Sequence, residues 1–373
     1  MYQYIRRGPV RIRGWTLSFL DRLKLWWHGK PAATQPAAVP AEGVQRGQVD
    51  HVIILDGTMS TLAQGQEGNA GLLYRLLTEN GRKPGMTVYY EQGLQWEGWR
   101  HGMDIALGRG INRQIRRSYG WLASHYREGD RIYLFGYSRG AFAVRSLAGV
   151  IDRMGLLKRE HATERGVQLC YRHYQTNPDS AAAQAFSRRF CYPQAPVQMV
   201  GVWDTVKALG LRLPFFWMLG GLHDFHSHQL GRSILHGFHA LAIHETRVAF
   251  TPVLWECPKG CAINAEQVWF RGAHGDIGGN IGSFTAARPL ANIPLVWMLE
   301  RAESVGLPLP AGWQARYPCD PDAPMVGTTM GFGLFFLLRR KRLIGLDPSE
   351  AIHQTAAPPR GYRLRNWPLI RRL

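Results

Sequence analysis

The chain has 373 residues, 45% hydrophobic and 11% aromatic, which excludes a disordered chain and leaves room for one large α/β domain or two smaller ones. Its 45 lysines and arginines outweigh 27 acidic residues, and the formal charge of +18 favours an anionic partner: a phospholipid surface, nucleic acid or an acidic protein. The five cysteines are scattered and odd in number, which argues against a disulfide framework and for free thiols in a reducing compartment.

The chain begins "MYQYIRRGPVRIRGWTLSFLDRLKLWWHGK". This stretch is basic and Trp-rich, but Asp21, Arg22 and Lys24 break its apolar residues, so it does not read as a secretory signal peptide. Interleaved Trp and basic side chains over residues 11–27 suit either a membrane headgroup region or a helix docked on the main domain. Residues 30–48, "KPAATQPAAVPAEGVQRGQ", carry Pro and Ala without apolar periodicity and read as a linker. The organisation expected is a basic segment 1–29, a linker 30–48 and a main domain 49–373.

From residue 51 onward, strands and helices alternate. "HVIIL" (51–55) reads as a buried strand feeding the turn Asp56-Gly57-Thr58. "NAGLLYRLLTENG" reads as a helix, "MTVYYE" as a strand, "INRQIRRSYGWLASHY" as a helix and "RIYLFG" as a strand. "RGAFAVRSLAGVIDRMG" then reads as a helix, "VQMVGVW" as a strand, "GFHALAIHE" as a helix and "EQVWF" as a strand. The alternation predicts an α/β fold, a mostly parallel sheet with helices on both faces. "GLRLPFFWMLGGLHDF" follows Asp204 closely, and the region 210–240 reads as core packing or as a lid beside the site. "MVGTTMGFGLFFLL" (325–338) precedes "RRKR". It is shorter than the ~20 residues of a membrane span and reads as a buried or interfacial segment with a basic stop.

Gly136-Tyr137-Ser138-Arg139-Gly140 fits the pattern Gly-x-Ser-x-Gly. In a chain with 42 glycines the pentapeptide alone is weak, so its context decides. It lies between a predicted strand and a predicted helix, the setting of a nucleophile elbow. The bland alternative is a Gly-rich packing turn with Ser138 as a helix N-cap. A nucleophilic serine on such a fold needs an acid and then a histidine further along the chain. Asp204 follows one predicted strand and His274 follows another, in "VWFRGAHGDIGGN". Asp276 is the alternative acid, being next but one to the histidine. The amide of Arg139 is one expected oxyanion donor, and the amide of Gly57 or Thr58 the second. "HDFHSH" (223–228) and the pair Cys257 and Cys261 lack a metal-ligand spacing, so no metal or other cofactor is expected. No nucleic-acid module accompanies the basic residues, which makes a membrane surface the better partner.

Five stretches in order, "LDGT", "YLFGYSRGAFAVRSLAGVI", "VGVWDTVKALG", "FHALAIHETRVAFTPVLW" and "VWFRGAHGDIGGN", resemble the type VI secretion phospholipase effector-like catalytic domain family. These are α/β-hydrolases once catalogued only as a domain of unknown function, and the resemblance runs over roughly residues 50–370 with a weaker "GYRLRNWP" at the end. It implies an α/β-hydrolase-like fold and a Ser138–Asp204–His274 triad that cleaves carboxylic esters of membrane phospholipids, of A1 or A2 type. It further implies an antibacterial effector, with secretion machinery or a cognate immunity protein as partners. Such a chain would be made in the bacterial cytoplasm without a signal peptide, then associate peripherally with a membrane or be exported by a non-classical route. The chain departs from the family pattern at Met59-Ser60, where Trp-Asn is usual, and at His244, where Asp is usual. A non-catalytic membrane- or partner-binding module on the same fold is the second reading.

Overall fold

The computed structural model describes residues 46–58, 60–81, 83–93, 109–206, 230–256, 264–328, 338–357 and 371–372, and the elements below all fall in the unit Gly47–Leu373. In chain order they are β1 (Asp50–Leu55), α1 (Asn69–Thr78), β2 (Met86–Glu91), α2 (Arg109–His125), β3 (Arg131–Tyr137) and α3 (Arg139–Met154). There follow α4 (Glu164–Thr176), α5 (Ala181–Phe190), β4 (Val197–Trp203), β5 (His236–Ala242) and β6 (Asn264–Phe270). The short α6 (His274–Gly278), α7 (Arg288–Ser304), β7 (Glu350–Ile352) and β8 (Arg371–Arg372) complete the order.

The strands form one eight-stranded sheet in the order β2-β1-β3-β4-β5-β6-β7-β8. Every neighbouring pair is parallel. The central strands are continuous apolar runs because both their faces are covered. All six residues of β1 are buried, and only Arg131 of β3 is not. Alternate side chains divide between two cores. Ile53, Leu55, Leu134 and Val202 pack with α2, α3 and α4, whereas Val52, Ile54, Phe135 and Trp203 pack with α1 and α7. Each fully buried Ile or Leu contributes about 1.5–3 kcal/mol relative to exposure, so a one-residue slip of a central strand would be prohibitive. The register that places each strand's C-terminal end is thereby fixed.

One predicted element changes type. "GFHALAIHE" is not a helix: its first six residues belong to β5, paired with β4 through Phe238↔Gly201 and with β6 through Phe238↔Glu266. Helix propensities differ by less than ~1 kcal/mol per residue among Ala, Leu, His and Glu, and pairing on both edges outweighs them. The same finding removes residues 236–240 from the expected lid, since they lie inside the sheet. Residues 210–229 of that lid, the N-terminal segment, most of the linker, the histidine cluster 223–228, Cys257, Cys261 and residues 329–337 lie outside the described residues. Cys170, Cys191 and Cys319 are free thiols. Among the described residues no helix is long and apolar enough to cross a membrane.

Candidate active site

β3 ends in Tyr137, and Ser138 makes the turn into α3 with φ 57° and ψ −119°. This is strained backbone for a residue with a Cβ, worth of order 1–3 kcal/mol, and it must be held by its surroundings. The flanking glycines allow the necessary approach. A Cβ on Gly140 would lie 2.1 Å from the Leu55 carbonyl oxygen, and one on Gly136 would lie 2.7 Å from that of Gly140. The Ser138 amide donates to the Trp203 carbonyl at 3.0 Å, which ties the turn to the end of β4. The Ser138 side chain does not cap α3. Its Oγ lies 2.8 Å from His274 Nε2.

Asp204 follows the last residue of β4 and also has a positive φ, 41°. Its Oδ2 lies 2.6 Å from His274 Nδ1. Its Oδ1 accepts from the Ala242 amide at 3.0 Å, and the guanidinium of Arg342 grips both oxygens at 2.6 and 2.8 Å. Burial works to raise its pKa, but the adjacent Arg342 charge and the hydrogen bonds from Arg342 and His274 outweigh it and hold the carboxyl well below the usual range. An ionised carboxylate only accepts, so His274 Nδ1 carries the proton and Nε2 accepts from the Ser138 hydroxyl.

β6 ends at Phe270 and His274 opens α6, with Arg271, Gly272 and Ala273 forming the link between them. The His274 ring packs between those of Tyr137 and Phe250, at centroid distances of 4.9 and 4.7 Å. Its backbone is held at both polar groups. The Tyr137 hydroxyl donates to its carbonyl at 3.1 Å, and its amide donates to Glu245 at 3.2 Å. Glu245 is paired at 2.6 Å with Arg247, whose guanidinium lies over the Phe250 ring at 4.0 Å.

Asp276 has a different set of partners. Its carboxylate accepts from the amides of Ala273 at 2.8 Å, Val326 at 2.7 Å and Gly327 at 3.4 Å, bracing the loop that carries His274. Among the described residues, Asp204 and not Asp276 holds the imidazole. The turn after β1 abuts the nucleophile: a Cβ on Gly57 would lie 3.3 Å from that of Ser138. The Gly57 amide, however, is already engaged: it donates to Asp56 Oδ1 at 2.7 Å. Asp56 also accepts from the Tyr90 hydroxyl at 2.7 Å, and burial pushes its pKa up to about 6. No group of three metal-ligating side chains occurs among the described residues.

Sequence reasoning misses Arg342, Glu245, Arg247 and Phe250. Arg342 belongs to the "RRKR" run, which reads as a solvated basic stop, yet it is buried. Nothing in the run distinguishes its last member from its neighbours.

A parallel sheet with helices on both faces, carrying a strained serine turn at the C-terminal end of a central strand, defines an α/β-hydrolase-like protein. Residues 50–301 match the family model described as T6SS, phospholipase effector Tle1-like, catalytic domain. The chain belongs to this family. It is 27% identical over 235 residues to the uncharacterized protein YEL023C of Saccharomyces cerevisiae, a match covering 54% of this chain and 33% of that protein. The chain thus spans about a third of the length of that curated relative. Among solved structures it is similar to an uncharacterized protein from Pseudomonas aeruginosa, with 15% identity, a TM-score of 0.43, and coverage of 73% of this chain and 49% of that one. It is also similar to Thermogutta terrifontis esterase 2 phosphoramylated by tabun, with 15% identity, a TM-score of 0.38, and coverage of 73% and 89%.

Proposed function

We propose that the protein is a serine esterase that cleaves carboxylic esters of membrane phospholipids, with A1 or A2 regiochemistry. The observation that carries the proposal is the unbroken hydrogen-bond chain Ser138–His274–Asp204, drawn from the ends of three strands. Ser138 Oγ attacks the acyl carbonyl carbon while His274 Nε2 takes its proton. The amides of Arg139 and Thr58 receive the oxyanion. Asp204 orients the imidazole and stabilises its protonated form. The imidazolium returns the proton to the leaving alkoxide, and the lysolipid departs. Water, deprotonated by His274, then attacks the acyl-enzyme and releases the fatty acid. Family membership supports lipid as the substrate class and an effector role, with secretion machinery and an immunity protein as partners. The +18 charge supports peripheral association with an anionic membrane.

A fluorophosphonate probe should label Ser138 in the wild-type protein and leave folded Ser138→Ala unlabelled. Incubation with defined phospholipids should give lysolipid and free fatty acid, and Ser138→Ala should lose on the order of 10⁴-fold or more in turnover. Asp204→Asn should lose several orders of magnitude, and Asp276→Asn should lose less and act through stability. An unlabelled, inactive wild-type protein with intact circular dichroism would favour a binding module on this fold. A folded Asp276→Asn more impaired than Asp204→Asn would reverse the assignment of the acid.

A further inference from the structure

Arg139 stands where a cation costs stability. It is the first residue of α3, at the end where free amides and the helix dipole disfavour positive charge, and the first turn contains no acidic residue. The residue is only 8% exposed. Its Nη1 is buried without a hydrogen-bond partner, and no acidic side chain among the described residues neutralises it. Burial alone pushes its pKa down to about 10, so it stays charged at neutral pH. Other guanidinium groups are differently placed: the buried Arg342 grips Asp204, and the half-buried Arg145 donates to the carbonyls of Val253 and Leu254. An apolar side chain of similar length at position 139 would serve packing better than an unpaired charge. A destabilising charge next to the nucleophile points to ligand binding.

We propose that the Arg139 guanidinium receives an anionic group of the substrate, a phosphate diester carried beside the scissile acyl ester. The proposal rests on the phospholipid-ester reading above. Helical Cα–Cβ bonds tilt toward the helix N-terminus, so the stem of Arg139 leaves α3 toward the Ser138 end. In a glycerophospholipid the phosphorus stands about five or six bonds from the acyl carbonyl carbon, a span comparable with the arginine stem. The residue thus meets the substrate twice, with its amide at the oxyanion and its forked donors at the phosphate. The second contact makes the site prefer a phospholipid over a neutral diacylglycerol.

The test compares kcat/KM for a short-chain phosphatidylglycerol and for the diacylglycerol with the same acyl chains, both as monomers, in wild type, Arg139→Met and Arg139→Lys. Inorganic phosphate is tested as an inhibitor of diacylglycerol hydrolysis in all three, and thermal melting establishes that each is folded. The phospholipid-to-diacylglycerol ratio should fall about 10- to 100-fold in Arg139→Met, the range of a charge-assisted hydrogen bond. Arg139→Lys, which keeps the charge and loses the fork, should fall between. Equal losses on both esters would overturn the proposal and make the side chain structural, with the phospholipase reading intact. Phosphate inhibition that depends on Arg139 with no change in the ratio would assign the site to free phosphate and overturn it likewise. A wild-type protein that hydrolyses the diacylglycerol and no phospholipid would sink the phospholipid reading, and this proposal with it.

Discussion

Asp204 receives four hydrogen bonds at two oxygens: from Ala242, twice from Arg342, and from His274. Arg342 therefore competes with the imidazole for the same carboxylate. Its charge keeps Asp204 ionised despite full burial, but it also draws electron density away from the bond that supports His274. Arg342→Met should expose this balance. Removing one partner of a buried pair costs about 3–5 kcal/mol, and the Asp204 pKa should rise toward the range that burial favours. Stability held by a depressed carboxyl pKa is present above its unfolded value near 3.9 and is lost as the pH falls. In the variant that acid-dependent loss should shrink, and it should vanish once the folded pKa reaches the unfolded value, while the acid limb of the kcat/KM profile moves up. An unchanged acid limb in a folded variant would show that Arg342 does not set the state of Asp204. The three residues of the hydrogen-bond chain are legible in the sequence because each follows a recognisable strand. Arg342 is not, because a basic run reads the same whether its last member is solvated or buried.

At the scale of elements, legibility follows composition. β1, β3 and β4 are short runs of β-branched and aromatic residues with turn signals at their ends, and they can be read directly from the sequence. β5 is rich in His, Ala and Gly, and only its two partners make it a strand. α4 and α5 escape the sequence reading although Thr163 and Ser180 cap them, accepting from the amides of Gly166 and Ala183. α7 hides behind Pro289 and Pro294 and is buried on several sides, so it lacks a single apolar stripe. β5 has a consequence for pH. His239 is fully buried in it, with Nε2 accepting from the Thr205 amide at 3.1 Å beside the Asp204 turn and Nδ1 3.3 Å from Gln267 Oε1. Burial, aided by the Arg145 charge, pushes its pKa down from 6.5 to about 3. The unfolded chain binds a proton below about pH 6.5 that the folded chain refuses until about pH 3. Stability is thus present above the unfolded value and is lost as the pH falls across that window, by about 1.4 kcal/mol per pH unit. Urea unfolding at pH 7.5, 6 and 5 should show a shallower loss for His239→Gln than for wild type, whatever the variant's stability at pH 7.5. Parallel slopes would mean that His239 protonates without unfolding the site.

For the whole molecule, the strand order brings Ser138, Asp204 and His274 to one end of the sheet, while the charge of +18 bears on the membrane association proposed above. Residues 1–45 carry seven lysines and arginines and two acidic residues, interleaved from 11 to 27 with Trp15, Phe19, Trp26 and Trp27. Each basic side chain near an anionic surface contributes ~1 kcal/mol, screened beyond ~10 Å at 0.1 M salt. Tryptophan anchors at the headgroup level, where its ring is buried and neighbouring charges stay wet. The residues of the hydrogen-bond chain all lie after Gly47, in the other unit. Deleting residues 1–45 should therefore weaken binding to phosphatidylglycerol vesicles by about tenfold or more and flatten its salt dependence. Hydrolysis of a monomeric short-chain ester should continue at a comparable rate, because that reaction needs no membrane surface. Vesicle co-sedimentation at two salt concentrations, with the soluble-ester assay on the same preparations, separates the alternatives. Unchanged vesicle binding would remove the segment from the membrane contact. Loss of soluble-ester turnover together with a lower melting temperature would make it a helix docked on the main domain.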